Sequence, residues 1–324
     1  MKRFLAVVSF LVAWAPACFA QAEAKRPVVV GVFMGGTPET HGQNFDAFRR
    51  GMAQAGWREG ENIRYEVRWG RGELQAFDAL ARELVALRPA VLMAGSSPGA
   101  VAVVKAARGA IPVVTQGDDP VRLGLVRSHA RPGGNVTGTS PMFAELSLKQ
   151  LEALQRVRPG AKRIGVLVNT ADKATMSRFT ESEPEMRKRA QIVVADVRNA
   201  AEIAPAIQRL ARDKVEGLIV PVTILFNVEM AAIARLAIEA RIPAVFAVRE
   251  AVEHGALMSY GVDIAQMNFR AAESVDRILR GANPAEMPIE FINEVEVSLN
   301  MGTARRLGIT FPADILLRAV TVIE

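Results

Sequence analysis

Gly95-Ser96-Ser97-Pro98-Gly99 sets a serine between two glycines with the spacing G-x-S-x-G, after the apolar run VLMA and before a helical pattern. A strand, a sharp turn and a helix start are the setting of a hydrolase nucleophile, with Ser97 as the attacking hydroxyl. That chemistry needs an oxyanion hole, one donor of which is the backbone N–H of the next residue. The next residue is Pro98, which has no N–H. A catalytic histidine is also required downstream, and neither His129 nor His254 stands in a recognisable catalytic setting. A second reading accounts for every residue of the stretch. Ser97 caps the helix, Pro98 takes its first position, and Gly95 and Gly99 allow tight packing. The Ser96 and Ser97 hydroxyls and free N–H groups then face a ligand. The stretch predicts holding rather than attack.

Other candidate chemistry is weaker. Gly35-Gly36-Thr37 follows a strand but lacks the spacing of a dinucleotide fingerprint, and no Walker lysine is present. The three histidines, at 41, 129 and 254, form no pair with metal-ligand spacing. Asp118-Asp119-Pro120 reads equally as a turn with a helix cap, and Tyr260-Gly261-Val262-Asp263 as a strand end with an N-cap. No metal and no cofactor is expected.

These residues sit on loops of a regular alternation. Apolar runs at 28–33, 63–69, 91–94 and 111–116 read as strands, with helical patterns between them. A second series has strands at 163–169, 191–197, 217–222, 242–248 and 257–261. Its helices fall near 173–189, 202–212, 228–240 and 264–280. Alternation of this kind predicts β-α-β units and parallel sheets, hence an α/β protein of two similar lobes. The expected division gives 27–142 plus 272–324 to the N-terminal lobe and 143–271 to the C-terminal lobe. Ligands of open parallel sheets bind outside the carboxyl ends of the strands. The loops at 35–40, 95–99, 116–120, 137–141, 169–173, 221–227, 249–250 and 260–263 are therefore expected to face one cleft.

At 324 residues and half hydrophobic, the chain is long enough for two modest cores. Lys2 and Arg3 precede the apolar run FLAVVSFLVAWA and a small-x-small site before Gln21, which reads as an export signal over 1–20. A soluble periplasmic chain is expected. Cys18, the only cysteine, offers lipid attachment as a minor alternative, although Ala15-Pro16-Ala17 lacks the usual leucine-like residue. The formal charge of +6 includes Lys2 and Arg3, and the remaining charges are interspersed. No basic block with interleaved aromatics exists, so nucleic acid is not expected as a partner.

The stretches GDDPVRLGLVRSHARPGGNVTGTS (117–140), PGAKRIGVLVN (159–169), HGALMSYGVDIAQMNFRAA (254–272) and VDRILRGANPAEMPIE (275–290) resemble one family. It is the exported substrate-binding proteins of ABC transporters, in the group that includes tryptophan- and tyrosine-type binders. The ending SLNMGTARRLGITFPADILLRAVTVIE (298–324) is similar as well. The resemblance implies a class I periplasmic-binding fold, two Rossmann-like lobes joined by a three-stranded hinge, and no catalytic activity. It implies a pocket at Thr37, Ser96, Ser97, Asp118, Thr139, Ser140, Asn169, Tyr260 and Asp263. Thr223 joins them from the 221–227 loop, where similar sequences often carry an acidic residue. Expected partners are a polar small molecule, amino acid-like or related, and an ABC permease in the inner membrane, with the chain itself monomeric. A sensor presenting its closed state to a membrane receptor would share these residues, and a serine hydrolase using Ser97 is the remaining alternative. A repressor of the same fold would need an N-terminal helix-turn-helix where this chain has a signal.

Overall fold

A computed structural model describes residues 26–141, 143–292 and 294–324, and the side chains of all of these except Phe143 and Ala144. The expected export signal and Cys18 lie outside the described residues.

The first sheet opens with β1 (Val28–Met34), α1 (Pro38–Gln54), β2 (Ile63–Trp69), α2 (Phe77–Ala86) and β3 (Val91–Ala94). It continues with α3 (Ser97–Ala107), β4 (Val113–Gln116) and β5 (Val136–Pro141). β1, β3 and β4 are short runs rich in Val and Met, all but the first residues of β1 buried, as a sheet covered on both faces requires.

After α4 (Phe143–Val157) the second series runs β6 (Arg163–Val168), α5 (Lys173–Arg189), β7 (Gln191–Asp196), α6 (Ile203–Arg212) and β8 (Gly217–Val220). α7 (Ile224–Val228), α8 (Met230–Glu239), β9 (Ala244–Phe246), α9 (Glu250–Glu253) and β10 (Met258–Gly261) follow. The chain closes with α10 (Ile264–Leu279), β11 (Glu290–Ile292), β12 (Glu296–Asn300), α11 (Met301–Leu307), α12 (Ala313–Leu316) and β13 (Ala319–Ile323).

The strands form two sheets. The first has the order β11-β5-β4-β3-β1-β2 and is parallel throughout. The second has the order β13-β12-β10-β9-β8-β6-β7, with only the β10–β12 pair antiparallel. Each sheet has an apolar core on both faces, and a small fifth cluster of Leu146, Ala247, Val262, Met267 and Ile292 lies where the two meet. The α/β two-lobe class expected from the alternation is the observed one.

Among the described residues the chain passes between the sheets three times: from β5 to α4, from β10 to α10, and from β11 to β12. This corrects the division expected from sequence. Residues 296–324 do not rejoin the first lobe, because β12 hydrogen-bonds to β10 and carries β13 with it. Conversely α10 leaves the second lobe from its first turn, packing Ala271, Ala272, Val275 and Ile278 against Phe48 and Met52 of α1. Residues 137–141, expected as a loop, are strand β5. Gly138 makes that strand possible: its φ is 144°, and a Cβ there would lie 1.9 Å from the Thr115 carbonyl oxygen.

Candidate functional site

β3 ends at Ala94 and the chain turns through Gly95 into α3. Ser96, not Ser97, is the N-cap: it is extended (φ −164°), and its Oγ accepts from the Gly99 N–H at 3.3 Å. Ser97 is the first helical residue and Pro98 the second, which frees the Ser97 hydroxyl from capping. That hydroxyl donates to Asp118 Oδ2 at 2.7 Å and accepts from the Asp118 backbone N–H at 2.8 Å. The two loops at the ends of β3 and β4 are thereby tied together. Gly117 between them has φ 149°, and a Cβ there would come within 2.5 Å of Ser97 Oγ. With its proton committed to Asp118 and a proline next in line, Ser97 is not an activated nucleophile. His41 borders the same cavity, but its Nδ1 pairs with Thr40 Oγ1 at 2.8 Å.

The free oxygen of Asp118 reaches across to the other lobe. Oδ1 lies 3.3 Å from Nε of Arg178 on α5, and both side chains are under 10 % exposed. Nη2 of Arg178 donates to the Val222 carbonyl at 2.6 Å and to Thr175 Oγ1 at 3.1 Å. The Thr175 hydroxyl in turn donates to Asp172 Oδ2 at 2.8 Å, and Asp172 Oδ1 caps α5 by accepting from the Ala174 and Thr175 N–H groups. A continuous polar chain therefore runs Ser97–Asp118–Arg178–Thr175–Asp172 from one lobe to the other. Nearby, Arg122 of the first lobe pairs with Glu181 of α5, a second ion pair across the cleft.

These groups line a cavity of about 50 Å³ between the lobes. The first lobe contributes His41, the 95–98 turn, Gln116, Gly117, Asp118, Ile264 and Met267. The second contributes Asp172, Arg178, Val222, Thr223, Ile224 and Asn227. Thr223 caps α7 by accepting from the Phe226 N–H at 2.9 Å, so the β8–α7 turn mirrors the Ser96 turn of the first lobe. Burial holds His41 down from 6.5 to about 4, leaving it neutral.

Of the residues singled out in the sequence, Ser96, Ser97, Asp118 and Thr223 meet at this cavity. Thr37 caps α1 in a capping box with Thr40, just ahead of His41. Asn169 is buried and braces the turn before Asp172 by accepting from the Ala171 N–H. Thr139 and Ser140 lie buried in β5. Tyr260 and Asp263 fall at the β10–α10 crossing instead of the cavity. Asp263 caps α10 and sits 4.0 Å from Arg249, beside Glu250 and Glu296, whose carboxyls are pushed up chiefly by burial and further by Asp263. Asp172 and Asn227 lie in the 169–173 and 221–227 loops expected at the cleft but are not named there, His41 is weighed only as a metal ligand, and Arg178 falls outside every stretch expected to face the cleft. Asp172 has a sequence signal, an N-cap ahead of a helical pattern, whereas Arg178 reads as one more charge on a charged helix. Among the described residues no group of three His, Cys, Asp or Glu is placed to hold a metal, and no helix is long and apolar enough to cross a membrane.

Comparisons with known proteins agree with this architecture. The chain is 28 % identical over 262 residues to the tyrosine-binding protein of Clostridioides difficile (strain R20291), covering 80 % of this chain and 75 % of that one. A conserved domain protein from Vibrio cholerae superposes with a TM-score of 0.86 at 26 % identity, covering 92 % of this chain and 100 % of the other. An ABC domain in complex with L-Trp from Streptococcus pneumonia shares the fold with a TM-score of 0.82 at 22 % identity, covering 91 % and 100 %. A family model of ABC transporter substrate-binding proteins matches residues 36–323, and the chain belongs to that family.

Proposed function

We propose that the protein, a non-enzymatic solute-binding component of an ABC-type importer, holds its ligand in the cavity between the Ser96–Asp118 wall and the Asp172–Thr223 wall. The observation that carries this reading is the cavity itself: it lies beyond the carboxyl ends of β3, β4 and β8, where open parallel sheets bind ligands, and both lobes line it. Ser96, Ser97, Asp118 and Thr223 are its direct ligand contacts, with Arg178 and Asn227. Thr37, Thr139, Ser140 and Asn169 act from behind them, and Tyr260 and Asp263 act at the lobe crossing. The lobes move as units about the three crossings, 26–141 with 264–292 against 143–261 with 294–324. At about 50 Å³ the space takes a few atoms, so a solute enters by parting the lobes. The ligand is a polar small molecule, amino acid-like as in the tyrosine- and tryptophan-binding relatives. The mature chain works in the periplasm as a monomer and delivers its ligand to a permease of the inner membrane.

A thermal-shift screen of amino acids, carboxylates and sugars on the mature protein, followed by small-angle scattering, tests the reading. A ligand at a hundredfold its Kd adds about 2.7 kcal/mol of apparent stability. Compaction on binding that is lost when Thr223 is replaced by a bulky residue supports the site. Binding indifferent to every cavity substitution refutes it.

A further inference from the structure

Three polar groups on β4, β5 and α10, one of them on the cavity wall, have no partner. Gln116 Oε1, Asn268 Oδ1 and Thr139 Oγ1 are buried without a hydrogen bond, and their residues are 3 %, 0 % and 1 % exposed. They belong together: Gln116 and Thr139 are register partners on β4 and β5, and α10, which carries Asn268, packs along those strands. The amide nitrogens of both Gln116 and Asn268 donate to one acceptor, the Ile264 carbonyl, at 3.3 and 2.7 Å. Turning either amide over would set its oxygen against that carbonyl, so the two oxygens remain as buried acceptors. Gln116 and Ile264 line the cavity directly. Asn268 Oδ1 lies behind Gly95, 3.6 Å from where a Cβ on that residue would sit.

A buried acceptor left unmatched costs stability, so a group of them is relieved when something donates to it. The charges around the cavity say what kind of donor. Asp118 and Asp172 bring two carboxylates, Arg178 one guanidinium, and His41 is neutral, which leaves an excess of negative charge. The hydrogen bonds of the Asp118–Arg178 chain run within the protein, whereas the side-chain oxygens of Gln116 and Asn268 are acceptors without a donor.

We propose that Gln116 Oε1 and Asn268 Oδ1, with Thr139 Oγ1 beside them, form the receiving end for a primary ammonium of the ligand. The solutes taken are therefore amines, with or without a carboxylate, and a nitrogen-free solute of the same shape is rejected. This rests on the cavity reading given under the proposed function and adds which end of the ligand is read, and by which residues.

Two matched sets test it on the mature protein: L-alanine, ethylamine and propionate, and L-phenylalanine, phenethylamine and hydrocinnamate. The nitrogen-free solutes myo-inositol and L-arabinose serve alongside. Calorimetry gives affinities, and nitrogen-edited NMR follows the side-chain amide signals of Gln116 and Asn268. At least one amine-bearing probe is expected to bind, to move both amide signals, and to bind about tenfold or more weakly to Gln116→Met, as loss of an ammonium hydrogen bond implies. Should Gln116→Met fold poorly, the wild-type amide signals and Thr139→Val decide the question. A des-amino acid binding as tightly as its amine-bearing partner, or amine binding unchanged in Gln116→Met, overturns the proposal. Binding of nitrogen-free solutes alone overturns it too, while leaving solute capture in the cavity intact. Amide signals that respond to no probe, with cavity substitutions also silent, count against both readings and identify the space as a buried-water site.

Discussion

Across the cavity Ser97, Asp118, Arg178, Thr175 and Asp172 satisfy one another in an unbroken chain from lobe to lobe. Within the first lobe, Gln116 on the cavity wall and Asn268 and Thr139 on the neighbouring elements leave three polar atoms unpaired. Both groups are buried and both are polar, so burial and composition do not separate them. Hydrogen-bond completeness does. A completed chain is worth having in the protein alone and holds the lobes at a fixed distance. An incomplete one costs stability until a donor arrives, which is what a binding wall needs.

The largest effect is expected from Arg178→Met. It leaves the Asp118 carboxylate buried without its cation, and the expected loss is about 3–5 kcal/mol, read by urea unfolding. Scattering should show the lobes parting. A change below about 1 kcal/mol would mean that the chain does not hold the cleft.

Acid acts next, through His41. Its folded pKa is about 4 against 6.5 unfolded, so the unfolded chain takes up a proton first as pH falls. Stability from this group is full above about pH 6.5 and declines by roughly 3 kcal/mol as the pH approaches 4. His41→Gln should flatten that part of the pH profile of unfolding.

The neighbouring serines separate by their bonds. Ser97→Ala deletes a donor and an acceptor of buried Asp118 and should lower stability by about 1–3 kcal/mol. Ser96→Ala removes only the α3 cap, about 1 kcal/mol. Thermal unfolding of both variants checks the order, and equal losses would contradict the assignment of Ser96 as the cap.

The smallest effect is expected at Asp263→Asn. Asparagine caps a helix as well as aspartate, and the side chain lies outside the cavity, so stability should hold within about 0.5 kcal/mol. Ligand affinity measured by calorimetry should be unchanged. A large loss of affinity would return Asp263 to the ligand.

Much of this was legible in the linear chain. The alternation of Val- and Ile-rich runs with helical patterns determined the α/β class, because strand and helix periodicities are local properties of sequence. Pro98 after Ser97 argued against a nucleophile for an equally local reason, the missing N–H. Ser96, Ser97, Asp118 and Thr223 were legible as polar residues on loops that follow strands, and the family resemblance pointed to those loops. The tertiary structure decided what depends on partners far apart in sequence. That the Ser97 hydroxyl is spent on Asp118, 21 residues on, depends on the packing of the two loops. The return of β12 and β13 to the second sheet turned on hydrogen bonds to β10. Arg178 became part of the site only because α5 faces Asp118 across the cleft, and Gln116 and Asn268 became orphans because both spend their amides on one carbonyl, 148 residues along the chain from Gln116. Sequence sets the supply of donors and acceptors, and only the packed structure determines which of them are already taken.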